Sequence, residues 1–482
     1  MTTKKYEFTP VHPLLAISSV DGRYRESVEP LAEIVSEFGL MKYRLQVEVE
    51  YFIALAAARD VPLRCLRLRE IRLLRSWYQR FSLKDAEIIK RIEKVGYGKI
   101  KKGNNHDVNA VVRYLKIRME RTTMTGLTQW IHFALTSEDI TNIAYALMLR
   151  DVYEKVLLPK LWSMQSLLGR LAQQHSALAM LARTHNQPAS PTTLGKEDRV
   201  FASRLGQQLE QLATRPIRAK LNGASGNYNA HQAALPVVNW IEFSRGFITK
   251  LSAGDDHTIR FEPNLHTTQI EPHDTLAESF DNLKRIAVVL IKLCRDRWQY
   301  IGDEWIVQTA VEGEDGSSAM PNKVNPIDWE NAEGKLEELI ALSEVFSREL
   351  PQSRLQRHLS DSTMQRDMGL AFGFMLIALG SISRGLKKSR PNPRKVIEDL
   401  ERRPEVISEA IQIILRTEGY ADAYDQLKDL TRGKVVTLEL LQSFIHSIKL
   451  PARTRQRLLA LRPTNYTGLA EVLAMWGSSP GS

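Results

Sequence analysis

Cysteine is nearly absent from this chain of 482 residues, which contains only Cys65 and Cys294. Two cysteines cannot form the set of disulfides that stabilises small secreted proteins, and their scarcity suits a reducing compartment. The first residues, MTTKKYEFTPVHP, lack the apolar segment of a signal peptide. The sequence therefore predicts a cytoplasmic protein.

Long apolar runs are also missing. The longest run without a charge, residues 368–383, is shorter than the roughly 18 residues that a membrane-spanning helix needs, and glycines interrupt it. We expect a buried core helix there and no association with a membrane.

Several motifs of known chemistry are absent as well. The chain has no glycine-rich dinucleotide loop, no phosphate-binding P-loop and no G-x-S-x-G nucleophile turn. It also lacks the closely spaced cysteines, histidines and acids of a metal site. These absences disfavour acyl transfer and predict an activity that uses no metal and no cofactor.

Charge of one sign is in excess, with 66 Lys and Arg against 56 Asp and Glu, a net +10. The basic residues are scattered among acids, which is typical of solvated helix faces and not of a nucleic-acid-binding surface. An anionic small-molecule substrate fits the same net charge.

Apolar residues are present in an ordinary amount, 43%, and recur with helical spacing. Strand-like alternation is scarce. The pattern predicts an all-α protein with an extended bundle of long helices. Four stripes step by three or four residues: Leu157, Leu161, Met164, Leu168 and Leu171; Phe201, Leu205, Leu209 and Leu212; Phe280, Leu283, Ala287 and Leu290; and Leu336, Leu339 and Leu342.

Composition and length predict more than one domain. We expect shorter helices in residues 1–125, long helices in 126–385 and shorter helices again in 386–482. The segment KKSRPNPRK (387–395), which combines charge with two prolines, reads as the connector before the last part.

Polar islands interrupt the helices. A lone histidine is more often structural than catalytic, and Thr136 with Ser137 before two acids is the usual start of a capped helix. Together the islands supply histidines, hydroxyls, amides and arginines, which suit proton transfer on a substrate rich in carboxylate or phosphate. The islands are NNHDVNAV (104–111), ALTSEDITN (134–142), ARTHNQPASPTT (182–193), NGASGNYNAH (222–231), TTQIEPHD (267–274), EDGSSAMPNKVNP (314–326) and SRLQRHLSDSTMQR (353–366).

One island is far more specific than the others. The stretch GSSAMPNKVNP (316–326) resembles the signature loop of the fumarase/aspartase superfamily, G-S-S-x-M-P-x-K-x-N-P. With the flanking islands the chain resembles the adenylosuccinate lyases of the bacterial type, in the same order from about residue 18 to 470. The resemblance implies three mostly helical domains, with a central long-helix bundle, in a homotetramer whose active sites take islands from different subunits.

The resemblance also implies catalytic roles. Ser317 would be the general base that takes a proton from the succinyl carbon, and His185 the general acid that protonates the departing nitrogen. Lys323, together with Asn325, would hold the negative charge of the carbanion. His106 would orient the substrate close by.

The same resemblance implies a set of substrate-binding residues. Arginines among them suit a phosphate, because the guanidinium fork matches its oxygens. The set is Arg23, Tyr24, Asn105, Asp107, Thr136, Ser137, Gln269, Ser318, Asn325, Asn331, Arg357, Ser362 and Arg366.

Three positions depart from the family pattern. Asn186 stands where a glycine commonly follows the catalytic histidine, and Asn322 where close relatives often have histidine. Asp315 precedes the base in an approach that looks one residue longer than usual. These departures affect loop conformation and local electrostatics, and they remove no residue with an assigned role.

Three functions remain open. The first is an adenylosuccinate lyase, which splits adenylosuccinate to AMP and fumarate and acts on the succinylated carboxamide ribotide SAICAR, giving AICAR, in purine biosynthesis. The second is a superfamily lyase for another succinyl adduct, and the third is a non-catalytic helical scaffold. DGRY (21–24) and SRLQRHLSDST (353–363) favour the nucleotide substrates, and the retained catalytic set disfavours the scaffold.

Overall fold

A computed structural model describes residues 12–253, 257–309, 320 and 323–476. One π-helical segment, Tyr153–Leu157, joins α7 to α8, and short 3₁₀ helices lie at Pro13–Leu15, Glu29–Leu31, Thr125–Trp130, Pro404–Ile407 and Pro463–Asn465. The α-helices are α1 (Arg25–Val28), α2 (Ala32–Val35), α3 (Glu37–Ala57), α4 (Leu68–Gln79), α5 (Leu83–Lys94), α6 (Asp107–Glu120), α7 (Ser137–Val152), α8 (Leu158–Gln174), α9 (Leu194–Thr214), α10 (Asn229–Ala234), α11 (Trp240–Ser252), α12 (Asp274–Gly302), α13 (Ile327–Glu349), α14 (Ser360–Gln365), α15 (Met368–Lys388), α16 (Pro393–Glu401), α17 (Ser408–Thr417), α18 (Ala423–Thr431), α19 (Leu438–Ser447), α20 (Ala452–Leu459) and α21 (Ala470–Met475).

Six short strands form three two-stranded sheets among the described residues. Antiparallel pairs join β1 (Ala179–Thr184) to β2 (Gln187–Thr193) and β5 (Ile306–Gln308) to β6 (Ser389–Pro391). The third pair, β3 (Ile217–Ala219) with β4 (Phe261–Pro263), is parallel. Since helices make up most of the described chain, the prediction of an all-α fold is confirmed.

The chain divides into two compact units. The first unit is Met1–Leu161, Gln208–Val288 and Gly334–Gly380, and the second is Trp162–Gln207, Val289–Glu333 and Ser381–Ser482. Five long helices, α8, α9, α12, α13 and α15, have residues in both units. The division of the chain near residues 125 and 385 stays a prediction from composition.

The first unit contains a long helix that the sequence analysis did not predict. Helix α3 has 21 residues and begins where Ser36 accepts a hydrogen bond, 3.2 Å long, from the Gly39 amide. Leu45, Phe52 and Leu55 on this helix are fully buried. The prediction of shorter helices before residue 125 is therefore wrong for α3, whose buried face is apolar except for Arg44 and Glu48.

The four predicted apolar stripes lie on α8, α9, α12 and α13, together with the π-helical residue Leu157. All of their side chains are buried except Leu171 and Leu342, which are half-buried. In the first unit, the rings of Phe280 and Phe372 stack with centroids 5.8 Å apart. The stripes are therefore core, as the helical spacing indicated.

Helix α15 carries the predicted core helix at residues 368–383. The segment Ser360–Lys388 is long and apolar enough to cross a membrane by composition, but 61% of its apolar window is buried inside the molecule. A Cβ atom on Gly369 or Gly373 would lie 2.9 Å from the side chain of Val35 or Val20, respectively. This close packing identifies α15 as a core helix, as predicted.

The second unit has its own apolar core, built from β1 and the C-terminal helices. Leu181, Trp305, Leu400, Ile411 and Leu441 are among its buried residues. The predicted connector at 387–395 is more ordered than expected, because it contains the end of α15, strand β6 and the start of α16, which Asn392 caps. Its residues pair with β5 instead of forming a plain linker.

Candidate active site

A polar pocket of about 750 Å³ lies in the first unit, at the starts of several helices. The pocket gathers residues from four islands that are far apart in the sequence. The predicted site residues on its wall are Asn105, His106, Asp107, Thr136, Ser137, Gln269, Arg357, Ser362 and Arg366.

His106 caps the N-terminus of α6 on one wall of the pocket. Its Nδ1 atom accepts a hydrogen bond of 3.3 Å from the Asn109 amide, which fixes the ring as the helix starts. The Nε2 atom lies 3.5 Å from the Ser137 hydroxyl, and half of the side chain remains exposed. The ring is therefore held at one nitrogen and available to a ligand at the other.

Asp107 beside it is the centre of an ion-pair cluster. Its Oδ2 atom lies 2.7 Å from Arg44 and 2.7 Å from Arg366, and Arg366 also contacts Glu37 at 2.9 Å. Burial by itself would raise the pKa of Asp107, but the two arginines more than offset it and hold that pKa well below its usual range. Asp107 is therefore a fixed anion that positions Arg366.

Thr136 and Ser137 begin α7, as the sequence predicted. The Thr136 amide donates a 2.9 Å hydrogen bond to Asp139, whose other oxygen lies 3.0 Å from Lys220. Both members of this ion pair are fully buried. The same Asp139 oxygen accepts from the amides of Asn222 and Gly223, so the pair ties the start of α7 to the NGASGN loop.

The NGASGN loop needs glycine at one position. Gly226 has φ +80°, and a Cβ atom there would lie 2.2 Å from the Thr267 carbonyl oxygen. The loop is thereby packed against the segment that carries Gln269, whose side-chain amide donates to the Ala224 carbonyl at 3.1 Å. The backbone geometry of the loop serves to place Gln269.

Arg357 connects two walls of the pocket. One guanidinium nitrogen donates to Gln269 at 3.2 Å, and another lies 3.4 Å from the Glu138 carboxylate. Glu138 is buried, and burial raises its pKa to about 7 although His273 and Arg357 act in the opposite direction. Burial thus favours the protonated form of Glu138, whereas Arg357 at 3.4 Å favours its carboxylate.

Behind Glu138 lies a buried histidine–carboxylate cluster formed by Glu138, His273 and Asp361. Their ligand atoms all lie within 4.8 Å of one another, a separation that a divalent cation could bridge. Burial alone would lower the pKa of His273, but Asp361 and Glu271 raise it above its usual value. With Arg357 also beside Glu138, cations of the protein itself balance these carboxylates.

His185 lies in the second unit, at the tip of the hairpin between β1 and β2. His185 and Asn186 both have positive φ, +53° and +61°, which is the signature of a tight two-residue turn. Asparagine tolerates this conformation better than other residues that carry a Cβ atom. The departure from glycine at position 186 is therefore compatible with the turn, and His185 is exposed at its tip.

The hairpin itself was missed by the sequence analysis. Strand β2 contains Pro188 and Pro191, which made the island look like a break. Proline lacks a donor, but it is tolerated at the edge of a small sheet. The two threonines at the end of β2 are buried.

Lys323, Asn325 and Asn331 also lie in the second unit. Lys323 is exposed, and Asn325 is half-buried just before α13. Asn331, within α13, donates a 2.8 Å hydrogen bond to Ser381. Ser317, Ser318, Asp315 and Asn322 lie outside the described residues.

Arg23 and Tyr24 lie in the first unit but do not line the polar pocket. The Arg23 guanidinium is 5.9 Å from the centre of the Tyr24 ring, and Lys335 approaches the same ring at 5.4 Å. Arg23 is exposed and Tyr24 is half-buried. This basic corner with an aromatic face is separate from the wall that holds Arg357.

Several residues of the pocket were not predicted from the sequence. Arg44 is only 3% exposed and holds Asp107, and Glu138 holds Arg357. A signal for Arg44 was present, since a charge in the middle of the apolar helix α3 needs a buried partner. Lys90 and Glu93, which also line the pocket, form an ion pair on α5 that looked like ordinary surface charge.

Known proteins resemble this chain over nearly its whole length. The lyase family model matches residues 22–340, and the model described as adenylosuccinate lyase C-terminal matches residues 353–467. Adenylosuccinate lyase from Dictyostelium discoideum is 44% identical over 95% of this chain and 97% of its own. The one from Escherichia coli strain K12 is 42% identical over 95% of this chain and 97% of its own.

Solved structures share the fold at lower sequence identity. A fumarate lyase from Mesorhizobium sp. BNC1 superposes with a TM-score of 0.69 at 18% identity, over 94% of this chain and 96% of that one. The 3-carboxy-cis,cis-muconate lactonizing enzyme from Pseudomonas putida also gives 0.69, at 21% identity, over 92% of this chain and 95% of that one. On these relationships, the chain belongs to the adenylosuccinate lyase family of the fumarase/aspartase superfamily.

Proposed function

We propose that this protein splits adenylosuccinate into AMP and fumarate, and SAICAR into AICAR and fumarate, in purine biosynthesis. The observation that carries the proposal is the polar pocket, in which His106, Ser137, Gln269, Arg357 and Arg366 come together in a chain of this family. Its arginines and amides suit a substrate that carries carboxylates and a phosphate.

Ser317 is the proposed general base and His185 the proposed general acid. The serine oxygen takes a proton from the succinyl carbon, and the electron pair left on that carbon forms the new double bond of fumarate. The carbon–nitrogen bond breaks as His185 gives its proton to the departing nitrogen. An imidazole suits this step, because it exchanges protons near neutral pH.

Lys323 and Asn325 are proposed to stabilise the intermediate. Loss of the carbon proton places a second negative charge on the neighbouring carboxylate, and fixed cations and amide donors lower the energy of that state. The exposed ammonium of Lys323, just before α13, is available for such a role.

The pocket supports a proposal for the binding groups. His106 and Ser137 share one wall and would orient the succinyl part, while Arg357 and Arg366 would bind its anionic groups. Arg23, with Tyr24 beside it, would bind the phosphate. Asn105, Asp107, Thr136, Gln269, Ser318, Asn331 and Ser362 complete the proposed set.

We also propose a cytoplasmic homotetramer with active sites shared between subunits. What supports the sharing is the family resemblance, in which islands from different subunits meet. Both cysteines are free thiols, which suits a reducing compartment. No nucleic acid or membrane enters this proposal.

Purified protein with adenylosuccinate provides the direct test, followed by the ultraviolet absorbance change as fumarate is released. We expect turnover without added metal or cofactor. Absence of fumarate from folded protein under ordinary buffer conditions would contradict the proposed function.

Variants test the two proposed roles. Ser317→Ala and His185→Ala should each lower kcat by several orders of magnitude, because each removes a proton-transfer group, while AMP still binds. His446→Ala, at an exposed histidine of α19, is the matched control and should keep normal turnover. Near-normal kcat in either active-site variant would refute the role assigned to that residue.

A further inference from the structure

The carboxylate of Glu138 is buried at the pocket wall, next to Arg357. It is 2% exposed, and its Oε2 atom lies 3.4 Å from the Arg357 guanidinium. Its Oε1 atom has no hydrogen-bond partner among the described residues. A buried carboxylate is costly unless cations compensate it, so the nearby positive charges explain its presence.

Arg357 gains a defined orientation from this contact. Its guanidinium spans from Glu138 to the Gln269 side chain at 3.2 Å, and both partners belong to other segments of the pocket. With 21% of its side chain exposed, the guanidinium still presents donors to the pocket. A guanidinium that is already held at two points loses less side-chain entropy on binding an anion than an unrestrained arginine does.

His273 is the second group that compensates Glu138: burial lowers the pKa of its imidazole, but the surrounding carboxylates raise it above its usual value. Its ring is 4% exposed, and Nε2 lies 3.5 Å from Asp361 while Nδ1 lies 3.8 Å from Glu271. The His273 amide also donates a 2.6 Å hydrogen bond to Glu271, which fixes the residue at φ +63°. Three carboxylates, including Glu138, therefore surround one imidazole.

We propose that Glu138 and His273 are positioning residues, in which the Glu138 carboxylate holds Arg357 for an anionic group of the substrate and His273 is the buried counter-cation of Glu138. The proposal rests on the proposed function, because it takes the ligand of Arg357 to be an anion of adenylosuccinate. In this proposal, neither Glu138 nor His273 touches the reacting atoms. Substitution of either residue should therefore change the affinity for substrate more than the rate of the chemical step.

The test compares Glu138→Gln, Arg357→Gln and the double variant, with KM and kcat measured on adenylosuccinate. We expect Glu138→Gln to raise KM about tenfold or more and to change kcat by less than about threefold. The double variant should be no worse than Arg357→Gln alone, because Glu138 acts through Arg357. Affinity for AMP, measured by calorimetry, gives the same comparison without turnover.

Two further variants separate positioning from folding. His273→Gln, with a side chain that still forms hydrogen bonds, should reproduce the KM rise of Glu138→Gln, which keeps the test decisive if the latter folds poorly. Glu70→Gln is the matched control, since Glu70 is an equally buried acid that pairs with Arg64 at 2.8 Å and does not line the pocket. It should lower thermal stability and leave KM unchanged.

Three outcomes would overturn the proposal. The first is an unchanged KM in folded Glu138→Gln, and the second is a double variant in which the two fold-changes multiply. The third is loss of activity in EDTA with recovery on adding Zn²⁺ or Mg²⁺, which would make the cluster a metal site. An inactive parent protein would instead contradict the proposed function, and the AMP affinities would then decide the positioning role.

Discussion

His132 shows how the protonation of a single side chain links pH to the stability of the fold. Its Nδ1 atom lies 2.6 Å from Glu48, an acid that is fully buried on α3. Burial alone would lower the pKa of His132, but the Glu48 carboxylate more than offsets this and raises it. The protonated imidazole is therefore favoured in the folded state.

We expect His132→Gln to destabilise the protein most in acid. Because the folded pKa is raised, the stabilisation is fully present below the ordinary value of about 6.5 and is lost as pH rises through the folded value. Urea unfolding of both proteins between pH 5.5 and 8.5 measures this. The difference in unfolding free energy between the parent protein and His132→Gln should decrease as pH increases. A difference that increases with pH would contradict the raised pKa of His132.

Asn186 carries a second prediction at the scale of one residue. Its φ of +61° is open to glycine and asparagine but strained for a β-branched side chain. Asn186→Gly should keep kcat within about threefold of the parent, whereas Asn186→Val should lower it at least tenfold by displacing His185. Steady-state kinetics on the two folded variants check this, and equal rates would show that the turn does not place the histidine.

Among single residues, the sequence predicts local roles such as helix caps but not roles that depend on distant partners. The capped start of α7 followed from Thr136 and the acids after it, because a cap depends only on neighbouring residues. Arg44, Glu138 and His273 could not be placed by the same means. Their roles depend on partners 63, 219 and 88 positions away, respectively, and distance along the chain says nothing about distance in space.

Among the elements, the long apolar helices were the most predictable and the β1–β2 hairpin the least. A stripe on α12 or α9 repeats over many turns, so its period is clear from the sequence. The hairpin strands have 6 and 7 residues, and prolines interrupt the second. Helix α3 was missed as a long helix because its buried Arg44 and Glu48 made its face look polar.

The buried pair of Lys220 and Asp139 holds two elements together, the start of α7 and the loop after β3. We expect Lys220→Met to lower the free energy of unfolding by about 3–5 kcal/mol, since it leaves the Asp139 carboxylate buried without its cation. Chemical denaturation measures the loss.

Lys99→Met is the control for that experiment. Lys99 forms an exposed ion pair with Glu120 at 3.4 Å, and such pairs contribute about 0–1 kcal/mol. A similar loss of unfolding free energy in both variants would show that the Lys220–Asp139 pair stabilises the protein no more than an exposed ion pair.

At the scale of the whole molecule, the proposed sharing of active sites makes a prediction about mixtures. Ser317→Ala and His185→Ala chains should each be nearly inactive, but mixed tetramers would contain some sites with both groups intact. Mixing the two variants under conditions that exchange subunits should therefore restore part of the activity. Native mass spectrometry confirms exchange, and no recovery after exchange would indicate sites built within one chain.

The pocket around Asp107 has a consequence for the response to ionic strength. Arg44 and Arg366 already face Asp107 and Glu37, so an arriving anion replaces one counter-charge by another instead of neutralising bare cations. Dissolved salt competes poorly for cations whose own carboxylates are held at 2.7 Å. Despite a net charge of +10, the protein should distinguish the proposed substrates, which carry carboxylates and a phosphate, from dissolved chloride and phosphate by geometry more than by long-range attraction.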